Sequence, residues 1–172
     1  EISACIVGSE MCIRDRVKRV YVSKKDRVDV ASKILKEDIE KNLGLSPTRV
    51  KIYNRYDLEI RDSDLDKLFY TLLAEAPLDD LYAYDKAYDL EKSFKKALVK
   101  ESLAGQFNQR EQALLDTARL IDPDMDIKVS YAKVFEMDGI SDEDIGKIEA
   151  YLINKVDSKR GKLLDIPQSL GL

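Results

Sequence analysis

The chain contains no histidine. That absence removes the Ser-His-Asp triad, the Cys-His dyad and imidazole-ligated zinc from consideration. Cysteine is scarce as well: Cys5 and Cys12 are the only two. A Cys-x6-Cys spacing with no histidine is weak support for a redox or metal pair, although it leaves that alternative open. Glycine-rich phosphate cradles are missing, because Gly105 and Gly139 stand alone and neither Gly-x-Gly-x-x-Gly nor Gly-x4-Gly-Lys-Ser/Thr occurs. No apolar run approaches the roughly 20 residues that span a bilayer. The formal net charge of −4 argues against a nucleic-acid partner, which requires a clustered positive surface. The basic groups, Arg14-Asp15-Arg16-Val17-Lys18-Arg19 and Lys95-Lys96, are short and interrupted, and read as ordinary solvated charge. The expectation is a soluble, cytoplasmic protein without a nucleic-acid or membrane partner. No residue is assigned as catalytic, cofactor-binding or metal-ligating.

What is present is internal likeness. Ile60-x-Asp62-x-Asp64-Leu65-x-Lys67-Leu68 and Ile140-x-Asp142-x-Asp144-Ile145-x-Lys147-Ile148 carry one pattern, continued by Leu72-Leu73 and Leu152-Ile153. Their surroundings match in order. Val20-Tyr21-Val22 and Ala97-Leu98-Val99 read as short strands from their two-residue period. Helices follow. Ala31, Leu35, Ile39 and Leu43 recur at four-residue spacing, and Gly44 is placed to end that helix in a left-handed conformation. In the second half Asn108 and Glu111 form a capping-box pattern, Leu114, Leu115, Ala118 and Ile121 line one side, and Pro123 follows.

Second strands run from Arg49 through Ile60 and from Ile127 through Phe135. Leu65, Leu68, Phe69, Leu72 and Leu73 then make an apolar helical stripe ended by Pro77, and Ile145, Ile148, Leu152 and Ile153 repeat it. Leu81-Tyr82-Ala83-Tyr84 offers a third short strand. The fold class is therefore α+β: two pseudo-repeated β-α-β-α units whose sheets join and are covered by helices on one face.

At 172 residues the chain fits one domain, or two small units sharing an interface. Hydrophobic residues at 44% supply a core, and charged residues at 36% suit solvated helix faces. The reading divides the chain into an extension over 1–16, an assembly domain over 17–160 with repeats at 17–84 and 93–160, and the start of a linker over 161–172. Residues 1–16 lack the periodicity found afterwards, have no basic region before Ile2–Val7, and look like translated sequencing-adapter sequence. On that reading the natural protein begins near Val17.

Two aspartate series invite a calcium reading. Asp122, Asp124 and Asp126 occupy loop positions one, three and five, but Ile127 and Lys133 stand where glycine and glutamate belong. Asp62, Asp64 and Asp66 fail likewise, with Lys67 and Leu73 there. Both series fit helix N-terminal charges or turn formers better. Tyr82, Tyr84 and Tyr88 could stack on a ligand, but alternating tyrosines beside a turn read better as a half-buried strand.

Leu103-Ala-Gly-Gln-Phe-Asn-Gln-Arg110 resembles the Pro-Gly-Gln-Phe-Asp-Gln-Arg signature in the N-terminal domain of the long, single-chain phosphoribosylformylglycinamidine synthases. Ala104 replaces the usual proline and Asn108 the usual aspartate. Val20–Lys25 with Lys41–Gly44 is similar to that family's opening strand and helix end. Ile140–Ile145 through Tyr151–Ser158 is similar to its Leu-Ser-Asp-Glu-Asp and Tyr-Leu-Ile-Asn-Pro-Val-Asp-Ser stretches. The resemblance covers the chain from Val17 onward.

It implies a fused pair of small subunits that support a glutamine-dependent, ATP-using amidoligase of purine biosynthesis. ATP, magnesium and formylglycinamide ribonucleotide would bind later domains of the parent, and this piece would hold no cofactor. Its partners would be the ligase and glutaminase domains of the same chain. Gln106, Asn108, Gln109 and Arg110 are the candidate interdomain contact, with a simple helix-capping turn as the alternative reading. A stand-alone small-molecule-binding regulatory or interaction module is the alternative for the whole chain. A reading frame continuing past Leu172 favours the ligase, and a stop codon there favours the module.

Overall fold

A computed structural model describes residues 16–171, so all but the last residue of the adapter-like extension, with Cys5 and Cys12, lies outside the described residues. The order of elements is β1 (Val17–Lys24), α1 (Val30–Leu43), β2 (Arg49–Glu59), α2 (Asp62–Leu68), β3 (Asp79–Ala83), α3 (Asp85–Ser93), β4 (Lys96–Ser102), α4 (Gln109–Ile121), β5 (Lys128–Asp138), α5 (Asp142–Leu152) and β6 (Ser158–Arg160). The α+β class holds. Among the described residues, six strands form one antiparallel sheet in the order β3-β1-β2-β5-β4-β6.

Counted within each half of the chain, that order runs third, first, second from either edge, with β2 and β5 at the centre. Their ladder runs from Arg49 opposite Asp138 to Glu59 opposite Lys128. A step of 79 positions carries 49 to 128 and 59 to 138, and at the midpoint Asn54 faces Lys133, again 79 apart. The helix starts correspond in the same way. The Ile52 amide donates to Ser32 Oγ at 3.0 Å, and the Tyr131 amide donates to Glu111 Oε1 at 2.7 Å. Positions 32 to 111 and 52 to 131 are separated by that same step.

Two apolar clusters lie between the sheet and helices α1, α2, α4 and α5. The first joins Val20, Tyr56, Leu58, Leu65 and Leu68 to Leu114 and Ala118 of α4. The second joins Leu98, Phe135, Met137, Ile145 and Ile148 to Leu35 and Ile39 of α1. Each cluster is therefore completed by a helix from the other half of the chain. Because burial of apolar side chains supplies most of the driving force, neither half closes its own core.

Local sequence explains the helix ends. Asp29 accepts from the Ser32 amide at 3.1 Å, and Gly44 closes α1 at φ 65°, the left-handed cap expected there. Ser141 and Asp144 form a reciprocal capping box at the start of α5. Asp62 and Asp64 sit in the first turn of α2, where carboxylates meet the positive end of the helix dipole. α2 ends in a π-turn over Phe69–Leu73, closed by the Ala74 amide on Phe69 O at 2.9 Å, several residues before Pro77. Two helix faces shift from the periodic expectation. Ser32 is buried and Ala31 exposed, because the Ser32 hydroxyl serves the sheet; Ile121 is exposed beyond Leu114 and Ala118.

The second face of the sheet is also covered, by α3 and residues 161–171. Tyr21, Tyr53, Ala87, Val99 and Val134 form its apolar part, with Leu163 packed alongside. Here Arg19 is not solvated charge. Its guanidinium donates to Asp57 Oδ1 and Oδ2 at 2.7 and 2.8 Å, to Glu91 Oε1 at 2.8 Å and to the Asp165 carbonyl at 3.0 Å. Burial opposes its charge, but Asp57 and Glu91 outweigh that and raise its pKa. Arg55 donates to Glu101 at 2.7 Å and to the Lys162 carbonyl at 2.8 Å. Residues read as the start of a linker are thus tied to the sheet by two buried arginines.

Candidate functional site

The stretch Leu103–Arg110 leaves β4 and enters α4. The Gln106 amide donates to Leu103 O at 3.1 Å, and Gly105 adopts φ 81°, a conformation cheap for glycine alone. Asn108 caps α4, accepting from the Arg110 and Glu111 amides at 3.0 and 3.3 Å, while its Nδ2 donates to Ser102 Oγ at 3.2 Å. The reciprocal half of the expected capping box does not form. Glu111 reaches the Tyr131 amide instead, a bond to the sheet that fixes helix to strand. Arg110 lies over the Tyr131 ring, 5.4 Å from its centroid, with Nη1 3.4 Å from the Tyr56 hydroxyl.

Gln106, Asn108, Gln109 and Arg110 all line one cleft of about 430 Å³. The structure therefore brings the four singled-out residues together, with Asn108 also doing the capping work of the alternative reading. Lys100 and Lys133, on the strands beneath, complete the cleft. Sequence reasoning missed both. The available signal was register: Lys133 falls on the same strand face as Tyr131 and Phe135, where an apolar residue is expected.

Three cationic side chains meet in this cleft. Burial, with Arg110 and then Lys100 nearby, pushes the Lys133 ammonium below the usual lysine range. Burial pushes the Tyr131 phenol up to about 12 against the pull of Arg110, and raises Glu111 against its bond from the Tyr131 amide. The serines are engaged: Ser102 accepts from Asn108, and Ser158 donates to Asn154 O at 2.9 Å. The arrangement can hold an anion, but it pairs no nucleophile with a base.

The aspartate series behave as turn and cap residues. Asp122 accepts from the Asp124 amide at 3.0 Å, and Asp64 pairs with Arg61 and Lys67 at 3.1 Å each. Among the described residues no group of three or more cysteine, aspartate or glutamate side chains is placed to hold a metal ion. Among the described residues, too, no helix is long and apolar enough to cross a membrane. Tyr82 lies on β3, Tyr84 follows it with φ 54°, and Tyr88 is on α3 beneath Lys92.

The class defined at this point is an α+β domain with a palindromic sheet and a cationic cleft beside the start of α4. No protein-family model matches the chain, and no curated protein or solved structure does either.

Proposed function

We propose that the chain is a non-catalytic assembly domain of a glutamine-dependent phosphoribosylformylglycinamidine synthase, built from two like β-α-β-α-β units in one chain. The observation that carries this reading is the placement of the signature-like stretch Leu103–Arg110. It forms an exposed rim over the cleft, and its Phe107 ring is 76% exposed. An exposed aromatic flanked by glutamines and an arginine is suited to contact with another domain. The strand order and the matched helix-to-strand bonds of Ser32 and Glu111 support two fused units. ATP and magnesium would be held by the later ligase domains, and no step of that chemistry is assigned to these residues.

The test adds the purified chain to ligase and glutaminase domains of such a synthase from which the N-terminal domain has been removed. The chain should co-elute with them and raise glutamine-dependent turnover, while turning over nothing alone. Turnover by the chain alone, or failure to associate, contradicts the reading. The cleft itself favours the second reading, a free-standing module that binds a small effector. A thermal-shift screen with nucleotides and amino acids addresses it, since a ligand that binds only the native state raises stability.

A further inference from the structure

The two halves put different side chains at matched places around the helix that follows their first strand. The first half has Val22, Ala31, Ile52 and Asn54, and the second has Lys100, Arg110, Tyr131 and Lys133. Val22 is only 4% exposed and packs in the first apolar cluster. Its counterpart Lys100 instead donates to Leu152 O at 2.9 Å, at the end of α5. Arg110 rests on Tyr131. Lys133 has neither a hydrogen bond nor an ion pair among the described residues. The nearby carboxylates leave this group without an ion-pair partner: Glu101 holds Arg55 at 2.7 Å, Glu111 accepts from the Tyr131 amide, and Asp157, which also lines the cleft, makes no ion pair with Lys100, Arg110 or Lys133 among the described residues. A lysine drawn partly out of water beside two other cations calls for a counter-charge from outside the chain.

We infer that the cleft between α4 and the β4–β5 strands binds an oxyanion, the phosphate or carboxylate of an organic ligand, with Lys100, Arg110 and Lys133 as its counter-charges. The guanidinium supplies a planar fork for such a group, and the two ammoniums supply adjustable donors. At about 430 Å³ the cleft exceeds a bare anion and falls in the range of small-molecule sites. Phe107 and Leu152 give apolar surface for the remainder of the ligand. The cleft on the opposite face, about 340 Å³ and lined by Arg19 and Arg55, differs in kind, because both guanidiniums are already matched to carboxylates. The inference stands apart from the ligase reading and survives its failure.

The 172-residue chain is titrated with inorganic phosphate and, separately, with succinate at constant ionic strength, followed by amide chemical shifts and calorimetry. Saturable binding is expected, with shifts centred on Lys100, Arg110 and Tyr131 to Lys133. Lys133→Met and Arg110→Gln should each weaken it by about tenfold. Lys41→Met, on the exposed side of α1, should leave it unchanged. A response to phosphate alone identifies a phosphate-bearing ligand and a response to succinate alone a carboxylate; either sustains the site. Thermal melts show whether each variant folds, and Arg110→Gln decides the matter if Lys133→Met does not. Lack of saturable shifts with both anions, or undiminished binding by every folded variant, overturns it.

Discussion

Set side by side, the two halves agree where a strand meets a helix and disagree around one helix start. Leu58 and Met137, Leu65 and Ile145, and Leu68 and Ile148 fill matched core positions with side chains of similar bulk. Val22 and Lys100 stand at matched strand positions with opposite chemistry. Close packing tolerates only apolar groups of the right volume, so a core position has little freedom to diverge. A position at the edge of a cleft reaches water and can take charge. The lesson is that the two halves carry unlike residues where packing has released its hold.

The largest effect should come from exchanging the two unlike residues. Val22→Lys places an ammonium in an apolar cluster with no partner, and should cost about 4 kcal/mol or more in urea denaturation. Lys100→Val should change stability by no more than about 1 kcal/mol, because the site loses a charge rather than gaining one. A tolerated Val22→Lys would break the contrast. Next come the like residues: Leu68→Ala and Ile148→Ala should each cost about 3 kcal/mol, since both side chains are fully buried. Unfolding of one half with the other intact, seen as two transitions, would show that the clusters are not shared.

The smallest effect concerns the helix starts that differ. Asp144 is held below its usual value of 3.8 by the Ser141 hydroxyl and amide. A depressed carboxylate gives stability that is present above its unfolded pKa and lost as pH falls through its folded one. α2 has Arg61 at the matched place and no side-chain cap. On acidification below pH 3.8, amide exchange should therefore rise more in the first turn of α5 than in that of α2. Equal rises would remove the Ser141–Asp144 box as the cause.

Much of the first sheet face was readable because its signals are local. Two-residue alternation placed β1 and β2, and Gly44 and Asn108 marked helix ends by their own backbone chemistry. Alternation misled on the second face. Arg19, Arg55 and Asp57 sit on what reads as the solvent side of their strands, yet α3 and residues 161–171 cover them from far along the chain. The helix at Asp85–Ser93 drew no expectation, because its buried residues, Ala87 and Glu91, form too short and too polar a stripe. Glu111 shows the same limit in the site: its spacing from Asn108 describes a capping box, but a strand amide beyond the reach of local sequence takes the carboxylate. The rim residues of the cleft were legible as a motif, whereas Lys100 and Lys133 join them only through strand pairing.

Each half of the chain carries one side of a shared core. Residues 16–92, expressed without the second half, test it most directly by sedimentation equilibrium with circular dichroism. The expected result is a folded homodimer in which β2 pairs with its own copy, Asn54 opposite Asn54, and α1 of each copy completes the other's cluster. A folded monomer, or a chain that neither folds nor associates, would contradict it.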